Sequence, residues 1–249
     1  PALLYKLMNE ISKRVDIKAL REFTVEAGRP DTVTKEKLDI IKNSGAKRIS
    51  INPQTLNDKT LKIIGRAHTK EQFFNAFELA RKAGFPVINT DLILGLPEET
   101  KEDFRYTIDN ILKLKPENIT LHTLAIKRAA DLNGSEYKPS FANEMHKIAE
   151  ERLKDYIPYY LYRQKNTVDN LENTGYALPG TECIYNMCMM GDTETVISFG
   201  GGAVTKFIED TDVLRIRNPK DADLYIKTID DVIKGKEQEF VKYNLSRGN

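Results

Sequence analysis

Over the first half of the chain, apolar positions alternate between helical and strand spacing. Leu3, Leu4, Leu7, Met8 and Ile11 recur on one helical face, so the sequence opens in an amphipathic helix. Residues 20–28, LREFTVEAG, are β-branched and aromatic and stop at glycine, as a strand does. TKEKLDIIKNSG then predicts a helix on Leu38 and Ile41, closed by Gly45. AKRISINPQ, from residue 46, is a strand ended by Pro53, and NDKTLKIIG is a short helix stopped at Gly65. Thr69 and Gln72 form a capping box for a helix running to Ala83. FPVINTDLILG is the third strand. Thr100 caps a helix bearing Phe104, Ile108, Ile111 and Leu112, and ENITLHTLAI is the fourth strand.

Apolar strands separated by helices predict a parallel sheet with helices packed outside it. No Gly-rich loop follows the first strand, so a (β/α) barrel fits better than a doubly wound dinucleotide fold. Starting such a barrel in a helix leaves Phe23 and Val25 on an open sheet edge, a site for unwanted pairing. The pattern therefore predicts an α/β fold: a partial (β/α) barrel over residues 1–139 that lacks its first strands, in a piece of a longer protein. Beyond residue 139 the rhythm changes. Residues 141–157 read as a helix, YYLYRQ as a strand, residues 170–180 as a Gly-Pro-Asn segment and residues 221–235 as a helix. Residues 140–249 are expected to form a smaller α+β domain.

Charge narrows the function little. Thirty-eight basic and 37 acidic side chains leave +1, which favours neither nucleic acid nor an anionic membrane. No apolar run approaches the roughly 18 residues of a membrane span. Two cysteines, Cys183 and Cys188, make no disulfide framework and lack a usual metal spacing, so free thiols in the cytoplasm are the expectation. His68 and His122 find no third ligand at a suitable spacing, and no protein-bound zinc is expected.

Ligands of parallel barrels meet the carboxyl ends of strands. Those ends carry Glu26, then Asn52-Pro53-Gln54, then Asp91 ahead of Gly95-Leu96-Pro97, then His122 and Ala125. Asp91, beside the apolar run Leu92–Leu94, needs a partner for its carboxylate. A satisfied structural aspartate and a ligand site are both open on the residues alone. Arg66, just past a helix stop, has the chemistry of a carboxylate clamp.

The segments VEAGRPD, RISINPQTLND, IGRAHT, NTDLILGLPEET and LHTLAIKRAADL, with YALPG and FGGGAV further on, resemble the radical S-adenosylmethionine family of oxygen-independent coproporphyrinogen III oxidases. The resemblance implies that Glu26, Gln54, Arg66, Asp91 and Ala125 contact S-adenosylmethionine. Arg66 would take the methionine carboxylate, while Gln54 and Asp91 would accept from hydroxyls. It further implies oxidative decarboxylation of coproporphyrinogen III propionates to vinyl groups, with a 4Fe-4S cluster and an electron donor. Lys127 and Arg128, past the fourth strand, become candidates for the substrate's carboxylates. The family's three-cysteine cluster motif does not occur in this sequence, and INPQT replaces the usual Gly-Val-Gln. Two alternatives stand beside the oxidase: a haem-binding chaperone of the same superfamily, and a barrel without cofactor.

Overall fold

The structure, a computed structural model, describes residues 1–125, 141–209 and 212–246. It divides into two compact units, residues 1–184 and 185–249.

The first unit opens with helix α1 (Ala2–Arg14). It continues β1 (Thr24–Gly28), α2 (Lys35–Asn43), β2 (Arg48–Ile51), α3 (Asp58–Ile63), α4 (Lys70–Lys82), β3 (Val87–Leu94), α5 (Lys101–Lys113) and β4 (Asn118–Thr123). These are the elements the periodicity predicts, and α2 to α5 start where side chains accept orphan backbone N–H groups. Thr69 and Gln72 close the capping box on α4, and Thr100 with Asp103 does the same for α5. Helix α6 (Ala142–Arg152), β5 (Ile157–Tyr162) and β6 (Asn173–Ala177) complete the unit's main elements.

All six strands join one sheet in the order β1-β2-β3-β4-β6-β5. Strands β1 to β4 are parallel, β6 runs antiparallel to β4, and β5 antiparallel to β6. The sheet is open. Among the described residues no strand pairs with the outer side of β1, where Phe23 and Val25 pack partly buried against the core. That core lies between the helices and one sheet face, built from Ile49, Ile51, Phe73, Phe77, Ile88, Leu92, Phe104 and Ile119.

The expected boundary at 139/140 falls inside this unit, because β6 and β5 extend the same sheet. Residues 170–180 contain no long apolar run, yet every residue of β6 is buried. The helix expected to reach residue 157 ends at Arg152, and Ile157 is already strand. Pro158 keeps Ile157 out of the helix, since the residue before proline is pushed out of helical backbone geometry, and α6 stops earlier still.

The second unit contains α7 (Ile184–Gly191, whose first residue belongs to the first unit), the hairpin β7 (Val204–Glu209) and β8 (Asp212–Arg217), α8 (Ala222–Lys227) and α9 (Ile229–Ser246). Phe207 of β7 packs against Phe240 and Tyr243 of α9. The GGG run before β7 is a tight turn, with Gly200 and Gly202 at positive φ and the Gly202 N–H on the Pro219 carbonyl at 2.7 Å.

At the amino end of the parallel strands, Arg48 ties distant segments together. Its guanidinium donates to Asn118 and to the carbonyls of Thr181 (2.6 Å) and Glu182 (3.0 Å), and lies 3.5 Å from Glu22. Glu22 in turn accepts from the Ile184 N–H at 3.0 Å. Removing one member of a buried ionic network leaves the others desolvated and unpaired, at a cost of roughly 3–5 kcal/mol. Arg48→Ala is expected to lower the unfolding free energy measured in urea by that amount, and Arg48→Lys to recover little of it because lysine lacks the planar fork. A loss below about 1 kcal/mol for Arg48→Ala would show that water replaces the network.

Candidate functional site

Burial alternates residue by residue along β3. Ile88, Thr90, Leu92 and Leu94 face the helices and are fully buried. Asn89, Asp91 and Ile93 face the other side and are only half-buried. Asp91 therefore sits on the face of the sheet opposite the apolar core, which resolves how a carboxylate is tolerated beside Leu92–Leu94.

Strand register sets its neighbours. Glu26 of β1 pairs with Ser50 of β2, Ser50 with Asn89, and Asp91 with Thr120 of β4. The side chains form one hydrogen-bonded layer. Asn52 Nδ2 donates to Asp91 Oδ2 at 2.7 Å, and Asn89 Nδ2 donates to Asp91 Oδ1 at 2.8 Å. The Asp91 N–H donates to Asn52 Oδ1 at 3.2 Å, so the two residues clasp each other. Ser50 Oγ donates to Glu26 at 2.9 Å, and Thr120 Oγ1 donates to Asn89 Oδ1 at 3.3 Å. His122 Nε2 lies 3.6 Å from Asp91 Oδ2. Burial, and secondly the charge of Asp91, raise the Glu26 pKa above its usual value.

Gln54 lies beyond the end of β2 yet stays on the sheet. Its N–H donates to the Asp91 carbonyl and its carbonyl accepts from the Ile93 N–H, both at 3.0 Å. The residue has φ +66°, unusual for a side chain that is not glycine, and is buried. Arg66 reaches the same end indirectly. It follows α3, and His68, two residues on, donates from Nε2 to the Pro53 carbonyl at 3.1 Å, holding that loop against the turn after β2. Burial lowers the His68 pKa and keeps the ring neutral, a structural role. Ala125 bridges to Thr167 at the end of β4.

Glu26 and Asp91 thus share one hydrogen-bonded layer, Gln54 adjoins it through backbone bonds to Asp91 and Ile93, Arg66 stands on a loop docked near the same strand ends, and Ala125 lies at the fourth strand's end. Lys127 and Arg128 lie outside the described residues. The position-by-position reading missed Ser50 and Asn89, although extending the period-2 pattern backwards from Asp91 points to Asn89. It also missed Glu99 in the GLPEET turn. That carboxyl is buried, accepts from Thr55 Oγ1, and joins the turn after β3 to the segment after β2.

The donor set suits S-adenosylmethionine. Carboxylates attract a sulfonium cation and accept from ribose hydroxyls, and an arginine on the loop docked near them has the chemistry to match an amino-acid carboxylate. An iron-sulfur cluster finds no such fit here. The chain's two cysteines cannot supply the three thiolates the resemblance calls for, and Cys183 donates its S–H to Glu22 at 3.3 Å. Among the described residues no group of three His, Cys, Asp or Glu side chains is placed to hold a metal. No helix among them is long and apolar enough to cross a membrane.

Residues 1–111 match the radical SAM superfamily, and the chain belongs to it. Within that superfamily it groups with the oxygen-independent coproporphyrinogen III oxidase-like proteins. It is 45% identical over 253 residues to the oxygen-independent coproporphyrinogen-III oxidase-like protein HemZ of Bacillus subtilis, covering 96% of this chain and 50% of that protein. It is 32% identical over 206 residues to the heme chaperone HemW of Lactococcus lactis, covering 80% of this chain and 52% of that one. The solved coproporphyrinogen III oxidase of Escherichia coli has the same fold, with a TM-score of 0.67 at 18% identity over 92% of this chain and 54% of that one. The chain spans about half the length of these relatives.

Glu99 generates a pH prediction. Desolvation pushes its pKa up to about 7, against the hydrogen bond from Thr55 and with a smaller push from Asp103. A folded pKa above the unfolded value of 4.5 means that the native state holds the proton more tightly. Its contribution to stability is therefore complete below that value and lost as pH rises through 7. Glu99→Gln should flatten the melting-temperature profile between about pH 5 and about pH 8 and raise the melting point at the upper end. Thermal unfolding across that window checks this; an unchanged slope would mean that Glu99 is ionised in the native protein throughout.

Proposed function

We propose that the rim formed by the ends of β1 to β4 binds S-adenosylmethionine, in a protein that oxidatively decarboxylates the propionates of coproporphyrinogen III to vinyl groups. The observation that carries the cofactor assignment is the clasp between Asp91, Asn52 and Asn89. It holds a carboxylate in fixed orientation on a half-open face, one strand from Gln54 and on the same layer as Glu26. Glu26 and Asp91 supply acceptors and negative potential, Gln54 an amide, Arg66 a counter-charge for the amino-acid carboxylate, and Ala125 a small surface at the fourth strand.

Bound at this rim, the cofactor supplies hydrogen-abstracting chemistry. The chain's own share is to orient it and to keep water from the reacting carbon. The substrate is inferred from the high identity to the HemZ oxidase-like protein over nearly the whole chain. The electron donor and the cluster belong to the same proposal for the whole protein. The similarity to the HemW chaperone favours a second reading, in which the same rim serves a protein that binds haem and passes it on.

Arg66→Ala is the cleaner test of the rim, because its side chain is not part of the Asp91 clasp. Losing a charge-assisted hydrogen bond costs roughly 1.5–3 kcal/mol, so S-adenosylmethionine affinity should fall by about one to two decades with little change in melting temperature. Asp91→Asn should do both kinds of damage. Its amide would replace one acceptor by a donor facing another amide donor, lowering stability as well as affinity. Calorimetric titration paired with thermal unfolding separates the effects. Unchanged affinity in both variants, with stability lost only for Asp91→Asn, would make Asp91 a purely structural residue.

A further inference from the structure

The polar layer does not stop at β4. Register carries the Asp91 rung through Thr120 to Gly175 of β6 and on to Tyr160 of β5. The next rung on this face runs from Ile93 through His122, and Tyr162 of β5 pairs with Asn173. Tyr160 and Tyr162 alternate along their strand, so both rings stand on the face that bears Asp91 and His122. Their ring planes lie within 8° of parallel, with centroids 6.4 Å apart.

Gly175 makes this arrangement possible. A Cβ at this position would sit 1.9 Å from Cε1 and 2.5 Å from Cδ1 of Tyr160, so the ring lies flat on bare backbone. The Tyr160 hydroxyl thereby reaches the Thr120 side chain. Both tyrosines are half-buried. Burial holds both hydroxyls protonated above the usual phenol range, with the Asp91 charge adding to the effect on each. Two neutral, aligned aromatic rings beside a carboxylate form a surface for a π-rich ring that carries N–H donors: the ring contributes stacking, the carboxylate the hydrogen-bond acceptor.

We propose that Tyr160 and Tyr162 are an aromatic shelf that receives a pyrrole ring of a tetrapyrrole, next to the rim assigned to the cofactor. The shelf presupposes the tetrapyrrole function proposed above and adds the residues that select its ligand. An oxidase substrate and a haem cargo share the stacking face of the ring, and only the metal-free one also offers N–H donors; two probes separate them: coproporphyrin III, metal-free with four carboxylates, and iron protoporphyrin IX.

The test uses the full 249-residue chain, whose 11 tyrosines and absence of tryptophan let tyrosine emission report binding directly. Each porphyrin is titrated into wild type, Tyr162→Ala, Tyr162→Phe and Gly175→Ala, with an S-adenosylmethionine titration and a circular dichroism spectrum for each protein. Tyr162→Ala should weaken porphyrin binding about 10-fold and Tyr162→Phe less than about 2-fold, as expected where the ring rather than the hydroxyl binds. Cofactor affinity should stay the same in both Tyr162 variants. Gly175→Ala, which displaces Tyr160, should also weaken porphyrin binding. Tighter wild-type binding of coproporphyrin III would identify the oxidase ligand, and tighter binding of iron protoporphyrin IX the chaperone cargo. Porphyrin affinity unaffected by Tyr162→Ala, in a wild type that binds both porphyrin and S-adenosylmethionine, overturns the shelf alone. A wild type that binds S-adenosylmethionine and neither porphyrin overturns the shelf and its tetrapyrrole premise. Failure to bind S-adenosylmethionine overturns the rim assignment separately.

Discussion

Two carboxylates on one face of a sheet set the terms for the rest of this protein. Glu26 and Asp91 lie close enough that the charge of one raises the pKa of the other. Among the described residues the hydrogen bonds that hold them come from amides and a hydroxyl rather than from lysine or arginine. Asn52 and Asn89 take both oxygens of Asp91, and Ser50 serves Glu26. Neutral donors fix the geometry, and His122 Nε2, 3.6 Å from Asp91, is a further polar neighbour. A purely structural aspartate is usually better served by a cation. A site for a cationic ligand needs the arrangement found here, because the ligand itself then completes the charge balance.

The helices and turns serve that face. Alternation along β3 commits Ile88, Leu92 and Leu94 to the helical core, so packing energy pins the register that presents Asn89 and Asp91 on the other side; a one-residue slip would exchange the two sets. Gln54 continues the ladder at positive φ past the end of β2, and Glu99 joins the following segment to the turn after β3 through Thr55. Backbone strain at Gln54 and a buried carboxyl at Glu99 both oppose folding, and both occur where strand ends meet the rim.

The parallel half of the sheet was legible in the sequence because its strands are buried on the helical face and its helices carry their own caps. Ile49 and Ile51, Leu38 and Ile41, and the Thr69 and Thr100 caps all speak through local spacing. Strand β6 has no such voice. Asn173, Thr174 and Gly175 are buried through neighbours supplied by β4 and β5, and Gly175 is small because Tyr160 lies on it, a relation between residues far apart in sequence. That α6 could not reach residue 157 was written in the Ile157-Pro158 pair and was outweighed by the helical spacing before it. Of the site, the strand-end residues were legible individually. Asn89 was legible only through the alternation that puts it on the Asp91 face of β3, and Ser50 only through the register that pairs it with Glu26 and Asn89.

The sign of the rim's charge also constrains how a tetrapyrrole would lie on the adjoining shelf. Coproporphyrinogen III carries four propionates, and a carboxylate directed at Asp91 would meet like charge in a half-buried setting where repulsion is weakly screened. The pyrrole N–H groups are the part of the molecule that Asp91 can accept. With a ring on Tyr162 and its N–H toward the carboxylate, the propionates project from the ring edge away from Asp91. That orientation would place the basic residues they need off the Asp91 layer, outside the face proposed for the cofactor. Shelf and rim then divide the ligand's chemistry between them: stacking and N–H donation toward the acidic face, anionic side chains away from it.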